Sequence, residues 1–482
     1  MCCEQDRRSA VGSILAFVIV QRITEPVIAQ CAYFVACSRT RHAILVDPVR
    51  DTLRYLQIAR EQSFTIMGVL ETHAPSDYVS GVCEMLTASS ALGYLSGETE
   101  PPAWFTRDPS RWQRRIQFLK DGSTLAIGDL QARAILTPGH AKGALSIFIE
   151  DPASAVRVVL TGDALLPGGA GRTSAADTEQ LRDSLRRLTA LPDETIILAG
   201  HVGGSACVRA VDLPGETNMG IERRFNSALR TLESPSDFAQ ATCGSQPERP
   251  AYFSRVERLN SKEHMPLLDE LSVPKQLDVD TFLQFVSLPA TVVVDTRPWD
   301  QFTLDGAEGA LHAPFDRFFA PMIAGAIASD ERVVCVCEPS QAVDITRALR
   351  LIGIDRIIGW ISTAQYAQID REVMPLSEVD EISQHAAHAM YQRAECLMID
   401  VRTTAEWMRG RVLLARLMTM SQIADQIDEI PRDRFVIAYC RSGGRSARAC
   451  AFLRRKGIRC ATLQGGFWPW FGRGFPVEGV SL

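Results

Sequence analysis

The chain has 482 residues, a formal net charge of −6 and 46% hydrophobic residues. Its length predicts about three domains, since a globular domain usually has about 100–200 residues. The mild charge gives no basis for a nucleic-acid or membrane partner. The 13 cysteines are scattered singly, without the dense spacing of a disulfide framework. This scatter predicts a reducing, cytoplasmic setting in which some thiols are free for chemistry.

An apolar run near the N-terminus, Ile14–Val20, follows Arg7 and Arg8 and weakly imitates a signal peptide. The run is too short to span a bilayer, and no small-residue cleavage site follows it. We therefore assign residues 1–20 to an N-terminal extension of a cytoplasmic protein.

From residue 21 to 250, short apolar strands alternate with polar or helical stretches such as Thr178–Thr189. Several of these strands end in Gly, Asp or His, which predicts a layered α/β domain with its loops gathered on one edge. The stretch 234–250 is rich in Ser, Pro and Gln, and this composition indicates a linker or a surface excursion.

The remainder contains a weak internal repeat, over residues 270–376 and 377–482. Each copy has one strand that ends in Asp-x-Arg and a later strand that ends in Cys. The segments are TVVVDTR (291–297) and VVCVC (333–337) in the first copy, and LMIDVR (397–402) and FVIAYC (435–440) in the second. The repeat predicts two small α/β domains of one fold.

Three of the 8 histidines stand at strand ends in the first domain: His73 in ETHAPSDYVSG, His140 in TPGHAKG and His201 in AGHVGG. Asp163, in LTGDALL, is a fourth polar residue at a strand end. A single His is more often a core or surface residue than a ligand. Together the four side chains indicate a metal site, because a metal needs ligands that converge from separate loops.

These motifs resemble the metallo-β-lactamase superfamily, whose loop is His-x-His-x-Asp-His, followed by a distant Gly-His, an Asp and a final His. Here Pro75 replaces the second His and Tyr78 replaces the fourth residue, so each metal of a two-zinc site would lose an imidazole. Hydrolases of the glyoxalase II or lactonase kind are therefore disfavoured. The stretches GAGRTS and GIERRFNSAL (220–229) extend the resemblance to members fused to rhodanese domains.

His73, His140 and Asp163 supply two imidazoles and one carboxylate, which is a ligand set of mononuclear non-haem Fe(II) oxygenases. Persulfide dioxygenases of the superfamily bind one iron through these motif positions. The resemblance thus implies an αββα fold, one Fe(II) per chain on these three residues, and O₂ as co-substrate. Three further residues are implied as substrate contacts: Arg172, Tyr78 and His201. Pro75 is the real departure, and it bears on the rigidity and hydrogen bonding of the loop.

Near the C-terminus, YCRSGGRSARAC places Cys440 after a strand and before a helix that begins near Ser446. Converging backbone N–H groups, the positive helix end, Arg441 and Arg445 all favour a thiolate there. The loop resembles that of a rhodanese, which carries sulfane sulfur as a cysteine persulfide. This resemblance implies that Cys440 carries the sulfur, and that Arg441 and Arg445 hold an anionic acceptor such as sulfite. The other implied substrate-binding residues are Ser442, Gly443 and Gly444.

The first copy of the repeat also resembles a rhodanese, through VVVDTRPWDQF and GALHAP, but its loop reads CEPSQAVD. Glu338 replaces the first Arg, Ala342 replaces the second, and the loop contains no Gly. A negative charge beside Cys337 raises the pKa of this thiol and repels anions. We therefore predict that this copy is structural or regulatory.

Together these resemblances predict an enzyme of sulfur metabolism. Its first domain would oxidise a low-molecular-weight persulfide, such as glutathione persulfide, to sulfite, and its last domain would transfer sulfane sulfur among persulfide, sulfite and thiosulfate. No nucleic acid or membrane is expected as a partner, while a homo-oligomer is compatible with the sequence. Two alternatives remain open: a zinc-dependent thioester hydrolase of the glyoxalase II type, and a sulfur-relay protein in which only Cys440 is active.

Overall fold

The computed structural model describes residues 12–15, 17–203, 216–244, 249–250, 252–263, 266–316, 319, 323, 325–374 and 380–479. They form two compact units, one up to residue 271 and the other from residue 272 onward, apart from the short exchanged segments 248–252 and 351–353. Within these ranges, no helix has both the length and the apolar character needed to cross a bilayer.

The first unit begins with a seven-stranded sheet whose strands lie side by side in chain order. The first four strands are antiparallel, and the fourth to seventh are parallel. The strands are β1 (Gly12–Leu15), β2 (Val18–Glu25), β3 (Gln30–Cys37), β4 (His42–Val46), β5 (Thr65–Leu70), β6 (Leu92–Ser96) and β7 (Ile116–Leu119). The accompanying helices are α1 (Leu53–Glu61), α2 (Val82–Ala88), α3 (Ala103–Arg107) and α4 (Pro109–Trp112). Of residues 1–20, predicted as an extension, residues 1–11 and 16 lie outside the described residues, and the others include β1 and the start of β2.

The second sheet of this unit has six strands in the order β15-β14-β11-β10-β9-β8, and β12 and β13 form a separate hairpin. The strands are β8 (Thr124–Ile127), β9 (Leu130–Leu136), β10 (Leu145–Glu150), β11 (Arg157–Gly162), β12 (Leu165–Leu166), β13 (Gly169–Ala170), β14 (Ile196–Ala199) and β15 (Thr217–Asn218). The helices are α5 (Thr178–Leu188), α6 (Met219–Phe225), α7 (Pro235–Thr242) and α8 (Phe253–Ser261).

Three apolar layers hold this unit together. Between the sheets, side chains of the first sheet, such as Val35, pack with side chains of the second sheet, such as Ile147. The outer face of the first sheet packs against α1 and α2, where Tyr55 is fully buried. The outer face of the second sheet packs against α5, through Leu181, and against α7. The predicted αββα architecture is therefore confirmed.

The stretch 234–250 contains a helix, so its prediction as a linker is wrong over α7. Ser234 caps this helix by accepting a hydrogen bond from the backbone N–H of Asp237, and Pro235 occupies its first turn. Phe238 is fully buried against the second sheet. A single apolar anchor with a good cap therefore outweighs a composition that is otherwise typical of linkers.

The second unit contains two five-stranded sheets with the same strand order. Across each sheet, the strands lie in the order first, fifth, fourth, second and third, when the five strands of that sheet are counted along the chain. The first sheet comprises β16 (Lys275–Gln276), β17 (Thr291–Asp295), β18 (Leu311–His312), β19 (Arg332–Cys337) and β20 (Ile357–Ser362), with helices α9 (Val279–Val286), α10 (Trp299–Asp305), α11 (Ala342–Leu351) and α12 (Thr363–Tyr366).

The second sheet comprises β21 (Glu381–Ile382), β22 (Cys396–Asp400), β24 (Arg416–Leu417), β25 (Phe435–Tyr439) and β26 (Cys460–Leu463). A separate two-stranded antiparallel sheet pairs β23 (Arg411–Val412) with β27 (Val477–Glu478). The helices are α13 (Gln384–Gln392), α14 (Thr404–Met408), α15 (Gly444–Arg455) and α16 (Phe467–Gly472). The internal repeat that the sequence predicts therefore corresponds to two sheets of one topology.

Candidate metal centre and cysteine loop

The three predicted metal ligands of the first unit, and His201, all follow strand ends. His73 follows β5, while His140, Asp163 and His201 follow β9, β11 and β14. The strands β9, β11 and β14 run in the same direction, because β10 is antiparallel to both β9 and β11, and β14 is parallel to β11. Their carboxyl ends therefore meet at one edge of the second sheet.

Three ligand atoms converge at this edge. The Nε2 atom of His73 lies 3.9 Å from Oδ2 of Asp163, and Nε2 of His140 lies 3.5 Å from the same oxygen. One ligand atom from each residue lies within 4.8 Å of the other two. Oδ2 of Asp163 is buried and has no hydrogen-bond partner among the described residues. An orphaned carboxylate oxygen between two imidazole nitrogens fits a bound metal ion.

The hydrogen bonds on the far side of each imidazole set its tautomer. Nδ1 of His140 donates to the backbone carbonyl of Arg172 at 2.8 Å. Nδ1 of His73 lies 2.9 Å from the hydroxyl of Thr72, which itself donates to Asp47 and so accepts from the ring. Both Nε2 atoms consequently keep a lone pair for the metal. Burial lowers the pKa of His73 to about 4, so that this ring is neutral near pH 7.

His201 is held between two carboxylates rather than beside the three ligand atoms. Its Nδ1 donates to Oδ1 of Asp163 and its Nε2 donates to Oδ2 of Asp77, each at 2.8 Å. Burial alone would lower the pKa of His201, but the two carboxylates raise it well above its ordinary value. Burial alone would raise the pKa of Asp163, and the charge and hydrogen bond of His201 outweigh this and lower it. His201 therefore orients Asp163, and its predicted contact with substrate stays a prediction.

A glycine makes the close packing at this site possible. A Cβ atom on Gly171 would lie 2.0 Å from the backbone oxygen of Asp163 and 2.8 Å from Nδ1 of His140. Neither atom has room to move without disturbing a metal ligand. The next residue, Arg172, is partly buried and contributes its backbone carbonyl to His140, while the predicted contact of its side chain with a substrate anion stays a prediction.

The loop ETHAPSDYVSG is held by a residue that sequence analysis missed. The side-chain amide of Asn260, on α8, donates to the carbonyl of Pro75 at 2.7 Å and to the carbonyl of Tyr78 at 2.8 Å. Its Oδ1 accepts from the backbone N–H of Ser80 at 2.9 Å. The Tyr78 ring is buried, and burial raises the pKa of its hydroxyl well above the ordinary value. The loop is thus braced and ordered even though Pro75 and Tyr78 replace its usual imidazoles.

In the second unit, Cys440 lies between β25 and α15, as the sequence predicts, and its sulfur sits in a cradle of donors. The backbone N–H of Gly443 donates to Sγ at 3.1 Å, and the hydroxyl of Ser446 lies 3.6 Å from it. Burial alone would raise the pKa of Cys440, but donors from Ser446, Ser442 and Gly443 outweigh it and lower the pKa. Gly443 has a φ of 108°, which favours glycine and lets its amide face the sulfur.

The two predicted anion-binding arginines differ in their surroundings. Arg445 forms a bidentate ion pair with Glu406, with N–O distances of 2.7 and 2.8 Å. A carboxylate thus already pairs with its guanidinium, and its predicted role as a direct holder of the acceptor stays a prediction. Arg441, Ser442 and Gly444 are exposed at the loop, where small molecules can reach them. Glu406 is a second residue that sequence analysis missed, although its capping box, Thr403-x-x-Glu406, is a recognisable local signal.

The repeat preserves the support of the loop but not its chemistry. Arg402 pairs with Asp400 at 2.6 Å, and Arg297 pairs with Asp295 at 2.7 Å in the equivalent place. Burial, together with the charge of the adjacent Glu338, raises the pKa of Cys337 to about 12. Cys337 is therefore a protonated thiol near neutral pH, as expected for a copy without sulfur-carrying activity.

Comparison with known families and proteins adds two matches. Residues 27–201 match the model of the metallo-beta-lactamase superfamily, and residues 383–472 match that of the rhodanese-like domain. A sulfurtransferase of Allochromatium vinosum is 37% identical over 103 residues, which cover 21% of this chain and 94% of that protein.

Two further comparisons concern a hydrolase and a solved structure. A hydroxyacylglutathione hydrolase of Rhodospirillum rubrum is 30% identical over 169 residues, which cover 35% of this chain and only 60% of the hydrolase. The crystal structure of a metallo-beta-lactamase from Staphylococcus aureus subsp. aureus COL superposes with a TM-score of 0.63 at 22% identity, and covers 72% of this chain and 98% of that one. At this identity the likeness shows the fold alone.

Proposed function

Because the chain joins a domain of the metallo-β-lactamase superfamily to a rhodanese-like domain, we propose that it is a persulfide dioxygenase coupled to a sulfurtransferase. The first site oxidises a low-molecular-weight persulfide, such as glutathione persulfide, with O₂ and water, and releases the thiol, sulfite and protons. The second site transfers sulfane sulfur through a persulfide on Cys440, with sulfite or thiosulfate as partners. Small reactants of this kind suit a reducing, cytoplasmic setting.

One observation carries the first half of the proposal: the ligand atoms of one metal converge, and those of a second do not. His73, His140 and Asp163 offer three atoms to one ion. The carboxylate of Asp77 and the imidazole of His201, which a second metal would need, are hydrogen-bonded to each other at 2.8 Å. A single ion with open coordination positions suits an O₂-dependent reaction better than a two-zinc hydrolysis.

The chain's own groups prepare the site for this reaction. Iron(II), when bound, supplies the redox chemistry that activates O₂, which zinc lacks. His201 donates a hydrogen bond to Oδ1 of Asp163, so that Oδ2 of the same carboxylate stays directed at the metal position. The Arg172 carbonyl and the Thr72 hydroxyl keep each imidazole proton on Nδ1. Burial of all three ligand side chains limits competition by bulk water.

At the second site, the donors around Cys440 stabilise a thiolate and then the terminal sulfur of its persulfide. The chemistry of the two sites is complementary, since sulfite formed at the first is an acceptor for sulfane sulfur at the second. Their presence on one chain raises the effective concentration of that acceptor.

The closing test compares two reactions on the full chain, purified without oxygen. Glutathione persulfide should cause O₂ uptake with formation of sulfite, and His140→Ala should abolish this uptake while Cys440→Ser leaves it within about threefold, a change of less than 1 kcal/mol in the barrier. Hydrolysis of S-D-lactoylglutathione should be absent. Thioester hydrolysis by a zinc-loaded protein would favour the hydrolase alternative, to which the Rhodospirillum rubrum relative points by its name. If the chain neither consumed O₂ nor hydrolysed the thioester, only the sulfur-relay role would survive.

A further inference from the structure

The ion pair between Glu406 and Arg445 stands beside the sulfur-carrying loop. Nη1 of Arg445 donates to Oε2 of Glu406 at 2.7 Å, and Nη2 of Arg445 donates to Oε1 at 2.8 Å. Their side chains are only 33% and 28% exposed, so water screens this pair less than an ordinary surface pair. Bidentate Arg–carboxylate pairs of this geometry are among the stronger polar contacts in proteins. The positive charge of Arg445 is thus largely compensated before any substrate arrives.

Glu406 does not depend on Arg445 for its position. It begins α14 as part of a capping box: its Oε2 accepts from the backbone N–H of Thr403 at 3.1 Å, and its own N–H donates to the Thr403 hydroxyl at 3.3 Å. Burial alone would raise the pKa of Glu406, but hydrogen bonds from Arg445 and Thr403 lower it to about 2. The carboxylate is therefore charged at any pH at which the enzyme works.

Two further arginines contribute positive charge near Cys440. Arg448, on α15, interacts electrostatically with Cys440 and also with the carboxylate of Asp316, which offsets part of its charge. Arg441 is exposed and forms no ion pair with any residue in the described part of the chain. Within the loop, the other groups that favour an anion are neutral donors, namely the hydroxyl of Ser446 and the amide of Gly443. Glu406 and Asp316 therefore offset part of the positive charge near Cys440, so that a dianion is compensated less fully than a monoanion.

We propose that Glu406 is a specificity-determining residue of the sulfurtransferase site, and that it makes the loop prefer a persulfide over thiosulfate as sulfur donor. The inference rests on the proposed function of Cys440 as sulfur carrier. A low-molecular-weight persulfide brings at most one negative charge to its reacting sulfur, while thiosulfate carries two. By neutralising Arg445, Glu406 withdraws one of the cations that would favour a dianion.

The transfer steps are the same for both donors. The Cys440 thiolate attacks the outer sulfur of R–S–S–H, the S–S bond of the donor breaks, and R–S⁻ leaves while Cys440–S–S–H forms. From thiosulfate, attack on the outer sulfur forms the same persulfide anion and releases sulfite. Cyanide then takes the outer sulfur as thiocyanate and returns the thiolate. The two donors differ in charge and in leaving group, and the leaving groups are the same for every variant. A change in the ratio of the two rates between a variant and the wild type therefore reports on electrostatics.

The size of the effect follows from Coulomb's law. We take a separation of about 6 Å and an effective dielectric constant of about 40. One unit of charge on Glu406 then changes the interaction energy of each unit of substrate charge by an amount that corresponds to about a tenfold change in rate. At the reacting group, thiosulfate carries at least one negative charge more than a persulfide. Glu406→Gln should therefore shift the ratio of kcat/KM values about tenfold toward thiosulfate.

The substitution to Gln is conservative, because Gln also serves in a capping box and keeps the start of α14. Glu395→Gln is a matched control, since Glu395 forms a bidentate pair with Arg393 at the same distances, 2.7 and 2.8 Å. Glu395 precedes β22, whereas Cys440 follows the parallel strand β25, so the control pair lies at the opposite edge of the sheet.

The experiment measures kcat/KM of the full chain for thiocyanate formation from cyanide, with glutathione persulfide and with thiosulfate as donors. We expect Glu406→Gln to shift the donor ratio about tenfold toward thiosulfate, Glu395→Gln to leave it within about twofold, and Arg445→Gln to shift it the opposite way. The double variant Glu406→Gln/Arg445→Gln should return close to the wild-type ratio, even if one single variant folds poorly.

Two outcomes would overturn the inference. The first is an unchanged donor ratio in Glu406→Gln. The second is an Arg445→Gln variant whose kcat/KM falls equally with both donors and is not restored in the double variant. The latter would mean that Arg445 holds the substrate directly. A wild-type chain that forms no thiocyanate from either donor through Cys440 would instead contradict the proposed sulfur-carrying function itself.

Discussion

Asn260→Asp tests whether the metal loop depends on a residue far from it in sequence. The substitution keeps the size of the side chain and its Oδ1, which accepts from Ser80. It replaces the amide that donates to the carbonyls of Pro75 and Tyr78 with a second carboxylate oxygen. Two hydrogen bonds would then become two contacts between acceptors.

The expected loss is substantial. Each neutral hydrogen bond contributes about 0.5–1.5 kcal/mol, and a buried carbonyl without a partner adds a further cost, so we expect about 2–4 kcal/mol of local destabilisation. Because the same loop carries His73, the affinity for iron should fall at least about tenfold, as it does when the outer support of a metal ligand is removed.

The assay is chelator competition for iron on the full chain, with thermal release of iron as a second readout. The matched control is Ser261→Ala, since the exposed Ser261 hydroxyl only donates to the carbonyl of Glu257 within its own helix. It should leave iron affinity unchanged. Sulfur transfer by Cys440 should survive in both variants, because it belongs to the other unit. An Asn260→Asp chain that binds iron as tightly as the wild type would refute the reasoning.

Four further predictions follow from the same contacts. Gly171→Ala should lower iron affinity by about 10–100-fold in chelator competition, because its Cβ displaces the supports of two ligands; wild-type affinity would contradict this. Cys440→Ser should abolish thiocyanate formation, while Cys337→Ser should leave it nearly unchanged; the reverse pattern would mean that the wrong copy was assigned. Because the pKa of Cys440 is lowered, sulfur transfer should hold as pH falls below about 8.5, the ordinary thiol value. Ser446→Ala should move the midpoint of that pH profile upward, and an unmoved midpoint would exclude its donor role. Pro75→His should retain metal and gain no thioester hydrolysis. A variant that hydrolysed the thioester would show that a single additional imidazole in this loop is sufficient for hydrolase activity.

The parts of this protein that sequence analysis predicts well are those written in local patterns. Strands such as β5 are followed within a few residues by a chemically distinct residue, and this pattern identifies His73, His140 and Asp163. Their convergence was an inference from fold class, and the observed distances agree with it. The repeat was visible for the same reason, since Asp-x-Arg and Cys close equivalent strands in both copies.

The residues that were missed act across long sequence separations. Asn260 stands near the end of an ordinary amphipathic helix, and no local sequence pattern indicates that its side-chain amide donates to the carbonyl of Pro75. Glu406 was visible as a capping residue, but its pairing with Arg445 depends on how α14 packs beside the loop. The helix α7 was missed for the opposite reason, because a composition rich in Ser, Pro and Gln concealed one well-placed Phe238. Composition and local motif thus specify elements, whereas tertiary packing decides which polar groups meet.

The measurement that tests the central claim most directly is the metal content of the full chain after purification without oxygen and incubation with both Fe(II) and Zn(II). A site built from His73, His140 and Asp163 alone predicts close to one metal ion per chain. That ion should be iron wherever persulfide-dependent O₂ uptake is observed, and His73→Ala should lose it. Two metal ions per chain, or an iron-replete His73→Ala variant, would contradict the account.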